Sequence, residues 1–201
     1  MNVPIPGTQA EPRMYSSFFL ALLCVSALIG GARVTRAGDW PAYRHDRALS
    51  GVSAESMGGS LSLQWTYVPL HPPDPAWPAP SEEMPRMHAD SAFHVAVAAG
   101  RVFFGSSVTN EITALDVASG KIAWSFFTGG PVRFAPTVSG GRVYAGSDDG
   151  YVYCLKAADG ALVWKYRPGP SDEKVIGNER MISLWRSEER RVGKECRLTC
   201  R

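Results

Sequence analysis

An excess of either charge is missing from this 201-residue chain: 21 lysines and arginines stand against 19 aspartates and glutamates, a formal +2. Without a basic field it lacks the electrostatic footprint of a nucleic-acid binder. Long apolar runs are missing too. The longest, residues 18–30, is too short and too N-terminal for a standard membrane span. Cysteine is scarce: of four, only Cys154 lies outside the two ends, which excludes an internal disulfide framework between them. No Gly-x-Ser-x-Gly elbow, phosphate loop or His-Glu-x-x-His occurs, so those hydrolase, nucleotide and zinc-protease patterns are excluded.

Turn formers are plentiful instead, with 20 glycines and 15 prolines, in a chain that is 45% apolar and 20% charged. That is the composition of a globular protein poor in long helices. The two ends differ from the body between them. Residues 1–37 read as an export signal: Arg13 supplies the positive charge, residues 18–29 the apolar stretch, and Thr35-Arg-Ala37 the small residues before a cut. A cut after Ala32 and a start at Met14 fit the same pattern, and an uncleaved N-terminal anchor helix is the alternative. Leu23 precedes Cys24, so a lipoprotein signal is disfavoured. Residues 186–201 read as a non-native or disordered charged tail, and Arg186–Arg197 resembles the translation of a sequencing adapter. On that reading the natural frame continues past Trp185. Residues 38–185 carry 12 basic and 15 acidic side chains, a formal −3, so the basic balance belongs to the ends.

A repeat of about forty residues organises the body. Gly100-Arg-Val-Phe-Phe-Gly-Ser106 recurs as Gly141-Arg-Val-Tyr-Ala-Gly-Ser147, an offset of 41, while Leu115, Gly120 and Trp124 recur as Leu155, Gly160 and Trp164, an offset of 40. The lost residue falls in the turn at 108–111 against 148–150, where a deletion is cheap because it flips no strand face. Each unit predicts four short strands. For the first they are 93–98, 101–104, 111–115 and 121–126; for the second, 134–138, 142–145, 151–155 and 161–166. Leu63-Gln-Trp-Thr-Tyr67 repeats the Trp-x-aromatic ending of an earlier unit. Residues 68–92 hold seven prolines and predict a stiff surface loop. Tandem four-stranded antiparallel units predict an all-β fold, a partial β-propeller of about two complete blades plus a partial one.

The unit resembles the pyrroloquinoline-quinone (PQQ)-type repeat family across residues 38–185. Ala114-Leu-Asp116-Val-Ala-Ser-Gly120-Lys121-Ile-Ala-Trp124 matches its tryptophan-docking pattern, Ala-x-Asp-x-x-x-Gly-Lys-x-x-Trp. The second copy keeps Gly160 and Trp164 but has Cys154, Lys156 and Ala161 in place of Ala, Asp and Lys. The leader Gly38-Asp-Trp-Pro-Ala-Tyr-Arg44 also looks like the mature start of exported proteins with these repeats. Physically the tryptophan is a flat surface to pack between blades, the glycine permits the turn, and the aspartate accepts from turn amides. The resemblance therefore implies structural roles for Ala114, Asp116, Gly120, Lys121, Trp124, Gly160 and Trp164. Propellers close with at least about four blades, so two and a part leave a blade face and edges exposed.

Groups able to do chemistry are few, and no catalytic residue is assigned. Asp148-Asp149 offers hard oxygens to calcium, but an Asp-Asp-Gly turn reads first as a solvated hairpin. His88, Asp90 and His94 are dense without matching a zinc spacing. His45 and His71 read as isolated and exposed. Arg133 reads as a junction hydrogen-bonder or an exposed residue, with a channel-facing anion contact as the alternative. Asp172 and Lys174 read as a polar loop opening a further unit. The leading functional reading is an exported, periplasmic or extracellular scaffold or binding module for an unidentified protein or small molecule, with no membrane span after signal removal. A relative in this role is the propeller lipoprotein of the outer-membrane barrel-assembly machinery. The second is part of a quinoprotein dehydrogenase, and only there does the resemblance imply PQQ and calcium; the vicinal cysteine pair such enzymes often carry is not present. The third is a sensor ectodomain or polysaccharide binder, with Trp77 as a stacking surface.

Overall fold

The computed structural model describes residues 38–56, 59–74, 92–177 and 180–185. The signal call at 1–37, most of the proline-rich loop including Trp77, His88 and Asp90, and the tail 186–201 lie outside the described residues. Ten strands follow in order: β1 (Val95–Ala98), β2 (Arg101–Gly105), β3 (Glu111–Asp116), β4 (Ile122–Phe127), β5 (Thr137–Ser139), β6 (Arg142–Gly146), β7 (Val152–Lys156), β8 (Leu162–Tyr166), β9 (Lys174–Gly177) and β10 (Arg180–Ser183). β1–β4 and β5–β8 form two four-stranded antiparallel sheets in sequence order, and β9 pairs with β10. No described residue is helical. The fold is all-β, with two blades, here blade 1 and blade 2.

The blades repeat in register as well as in sequence. Phe103 stands opposite Ala114 and Ala114 opposite Trp124. Tyr144 stands opposite Cys154 and Cys154 opposite Trp164. A bulge falls at Ala114/Leu115 in one blade and at Cys154/Leu155 in the other. Each bulge bends the outer strand, and bulges are one way an exposed sheet edge is blunted. The turn that absorbs the missing residue is 106–110 in blade 1, closed at Asn110 with φ 57°, and Ser147–Gly150 in blade 2, closed at Gly150 with φ 89°.

The inner strands differ from expectation. β5 begins at Thr137 rather than 134, because Pro136 has no amide to give a ladder. The preceding Pro131, Val132 and Pro136 are buried as a junction instead. β1 begins at Val95; Phe93 turns aside to meet the Phe104 ring at 5.1 Å, and His94 meets Tyr43 at 5.9 Å. Leu63–Tyr67 forms no strand.

One core runs through both blades: Ala96, Phe103, Ile112, Ala114, Trp124, Val132, Val143, Tyr153 and Leu155 belong to a single cluster. Small residues on the inner strands, Ala96, Ala98 and Ala145, let the large ones fill the gap between sheets. Burying Phe103, Ile112 or Leu155 stabilises by about 1.5–3 kcal/mol each. The leader adds a strap on the inner side. Trp40 exchanges two 2.7 Å hydrogen bonds with Val97 of β1, and Val138 of β5 donates to the Pro41 carbonyl at 2.7 Å. One short segment thus pairs with the inner strands of both blades.

Candidate functional site

The docking residues do not gather at one point; they serve successive junctions. The Trp124 indole donates to the Ala157 carbonyl at 3.1 Å. Its ring lies over Gly160, where a Cβ would come 2.6 Å from it. One unit earlier, Trp65 donates to the Val117 carbonyl at 2.7 Å and lies over Gly120 at the same 2.6 Å. Asp116, Gly120 and Lys121 therefore build the turn that receives Trp65, while Ala114 packs in the core of β3 and Trp124 reaches into blade 2. Both glycines sit at positive φ, 67° and 73°, so both features of the turn require glycine. Trp164 is half-buried against Tyr144, with ring centroids 6.1 Å apart.

The receiving turns are closed by different side chains on the same backbone. Asp116 accepts from the Ser119 amide at 2.9 Å and its hydroxyl at 2.8 Å. The hydroxyl contact, then the amide, holds its carboxyl below the usual range. Blade 2 has Lys156 at this position, and Asp159 takes over, accepting from the Ala161 amide at 3.0 Å. The backbone bonds are conserved: Gly120 to the Asp116 carbonyl at 2.8 Å, and Gly160 to Lys156 at 2.9 Å. Lys121 is exposed.

A polar junction lies at the turns between β2 and β3 and between β6 and β7. Arg133, only 8% exposed, donates through Nε to Asp148 Oδ2 at 2.7 Å and through Nη1 to the Asp74 carbonyl at 2.7 Å. The Asp74 amide donates to Ser107 Oγ at 2.8 Å. Arg180 of β10 pairs with Asp74 Oδ2 at 3.1 Å and donates to the Ser107 carbonyl at 2.9 Å. Asp74 and Arg180 have no local sequence signal, since their partners lie 33 to 106 residues away.

Asp149 faces the other way. Its Oδ2 accepts from the Tyr153 hydroxyl at 2.5 Å and the Gly129 amide at 2.9 Å; its Oδ1 accepts from the Tyr151 amide at 2.9 Å. Burial, then the bond to Asp149, holds the Tyr153 phenol well above its ordinary range. The expectation of a solvated Asp-Asp turn is corrected: Asp148 and Asp149 are 7% and 8% exposed. Each is committed to an internal donor on a different side, so the pair does not present a shared set of oxygens to calcium. His45 is also corrected, being half-buried with its ring 4.8 Å from Trp40. His71 is exposed. Among the described residues no group of three His, Cys, Asp or Glu side chains is placed to hold a metal.

The family model described as "Outer membrane protein assembly factor BamB", built on PQQ-type repeats, matches residues 63–189. The dehydrogenase subunit of the quinone alcohol dehydrogenase of Gluconobacter oxydans is 32% identical over 94 residues, covering 41% of this chain and 12% of that protein. The crystal structure of quinohemoprotein alcohol dehydrogenase from Comamonas testosteroni superposes with a TM-score of 0.50 at 21% identity, over 68% of this chain and 20% of that one. BamB from Moraxella catarrhalis matches 41% of this chain and 28% of its own at 18% identity and a TM-score of 0.35. The chain thus spans well under a third of each of these relatives.

Proposed function

The chain belongs to the PQQ-type repeat family that includes BamB, and on that premise we propose that it is an exported propeller protein acting as a scaffold or binding module. The observation that carries this reading is the use made of its polar groups. Arg133, Asp148, Asp149 and Tyr153 hold blades and turns to one another. Arg133 is used on Asp148 and the Asp74 carbonyl, and Asp149 on Tyr153, Gly129 and Tyr151, so these groups serve the fold. Export rests on residues 1–37: a charged start, an apolar stretch and small residues before Gly38.

One observation favours a second reading, part of a quinoprotein dehydrogenase: the 32% identity to the dehydrogenase subunit. The described residues do not fit its calcium, so no step is derived through that group. Equilibrium dialysis of the full chain with PQQ and Ca²⁺, followed by alcohol-dependent dye reduction, separates the two. The scaffold reading expects neither retained quinone nor dye reduction. Stoichiometric retention with turnover would establish the dehydrogenase. Fusing residues 1–37 to alkaline phosphatase lacking its own signal tests export. Phosphatase activity is expected outside the cytoplasm, and a charge placed at Leu22 should abolish it.

A further inference from the structure

Between the end of β4 and blade 2 the structure opens a cleft of about 510 Å³. That lies within the roughly 300–1,000 Å³ of small-molecule sites. Phe126, Phe127, Tyr151 and Tyr153 line it with aromatic surface, and Lys165, Asp172 and Lys174 also border it. Phe127 is 71% exposed, an unusual position for a large aromatic ring with no blade against it.

The two signs of charge at this cleft are engaged differently. Lys165 Nζ stands 4.9 Å from the Tyr151 ring centroid, and the Arg167 guanidinium stands at the same distance. Arg167 also donates to the Tyr151 hydroxyl and lies 3.3 Å from Asp172. Its Nε is buried with no hydrogen-bond partner. Lys165 and Lys174 form no salt bridge among the described residues. Asp149, the other carboxylate of the cleft, already accepts from Tyr153, Gly129 and Tyr151. Both carboxylates of the cleft are thus engaged, Asp149 by neutral donors and Asp172 by Arg167, while the two ammonium groups beside the aromatic wall have no ion pair among the described residues.

We propose that this inter-blade cleft binds a small organic anion with an aromatic body, its ring lying on the exposed Phe127 and its acid group meeting Lys165 and Lys174. A neutral ring leaves the two ammonium groups without a partner. An inorganic anion leaves the aromatic wall wet. The combination recognises charge and ring together. The inference holds under either reading of the chain's overall function.

Calorimetric titration of the full chain tests it with three probes: 2-naphthoate, its neutral isostere 2-naphthamide, and inorganic phosphate. One-to-one binding of 2-naphthoate is expected, at least tenfold tighter than either control. Lys165→Glu/Lys174→Glu should weaken it at least tenfold with an unchanged far-ultraviolet dichroism spectrum. Arg47→Glu, an exposed charge in the leader, should leave it unchanged. No saturable heat with 2-naphthoate would overturn the proposal. So would equal affinity for the amide or phosphate, or indifference to the double charge reversal. Binding of an acidic, phenylalanine-containing peptide without binding of 2-naphthoate would also overturn it, in favour of a protein-docking surface.

Discussion

At the scale of single residues, each blade junction turns on one tryptophan over one glycine. Trp124 is 8% exposed and bonded to Ala157, so Trp124→Ala removes both a large packed surface and a bond. The expected loss is about 3–5 kcal/mol, read from urea unfolding midpoints. The glycine gives a sharper comparison. Gly160→Ala must fit a Cβ 2.6 Å from the Trp124 ring at φ 73°, while Gly140→Ala, at φ 57°, meets nothing within 4 Å. Gly140→Ala should cost about 1–2 kcal/mol of backbone strain alone. Gly160→Ala should cost clearly more; equal losses would show that the ring does not rest on the glycine. The recurring glycine and tryptophan were legible in the sequence as spacing, Gly120 to Trp124 and Gly160 to Trp164. The direction of docking was not, because the turn and the tryptophan of one unit serve different junctions. Trp65 shows this best: its own segment forms no strand, yet its indole reaches the Val117 carbonyl.

At the scale of elements, the turn from β6 to β7 binds blade 2 to its neighbours through two carboxylates aimed apart. Asp148→Ala removes the carboxylate that pairs with the buried Arg133, and breaking a buried pair from one side costs about 3–5 kcal/mol. Arg133→Met with Asp148→Leu removes both charges and should recover most of that loss. A double mutant no better than the single would place the cost in packing instead. Asp149 makes a pH prediction through Tyr153. The folded phenol releases its proton at higher pH than the unfolded one, whose ordinary value is 10.0. The unfolded chain therefore gains by ionising first. The stabilisation is complete below pH 10 and is lost as pH rises beyond it. Unfolding midpoints should fall above pH 10 in the native chain, and Tyr153→Phe should flatten part of that fall. The strands themselves were legible because glycine turns and β-branched runs recur on a forty-residue period. The burial of Asp148 and Asp149 was not, since an Asp-Asp-Gly turn reads the same whether water or an arginine completes it. Asp74, Arg180 and the cleft are assembled from segments far apart in the chain, which no local pattern encodes.

At the scale of the molecule, stability in stacked repeats is a sum of each unit and its interfaces with neighbours. Blades 1 and 2 share one core, a docked tryptophan and the leader strap that bonds both Val97 and Val138. The β9–β10 pair has far less. Val175, Ile176 and Met181 are exposed, at 40%, 82% and 63%, and only Ile182 and Ser183 are buried. Among the described residues it is tied to the blades by Ser183, donating to the Asp148 carbonyl at 2.7 Å, and by the Arg180 contacts to Ser107 and Asp74. Opening free energy should therefore grade across the fold rather than be uniform. Hydrogen exchange followed by mass spectrometry should find amides of β2, β3, β6 and β7 slowest and those of β9 and β10 fastest. Arg180→Ala should speed exchange in β9 and β10 and leave β2 and β3 unchanged, because it removes a tie at the periphery of the shared core. Trp124→Ala should speed both blades together, since the ring it removes belongs to the cluster they have in common. Acceleration confined to blade 2 would mean that the two sheets are stable independently and that the tryptophan merely joins them.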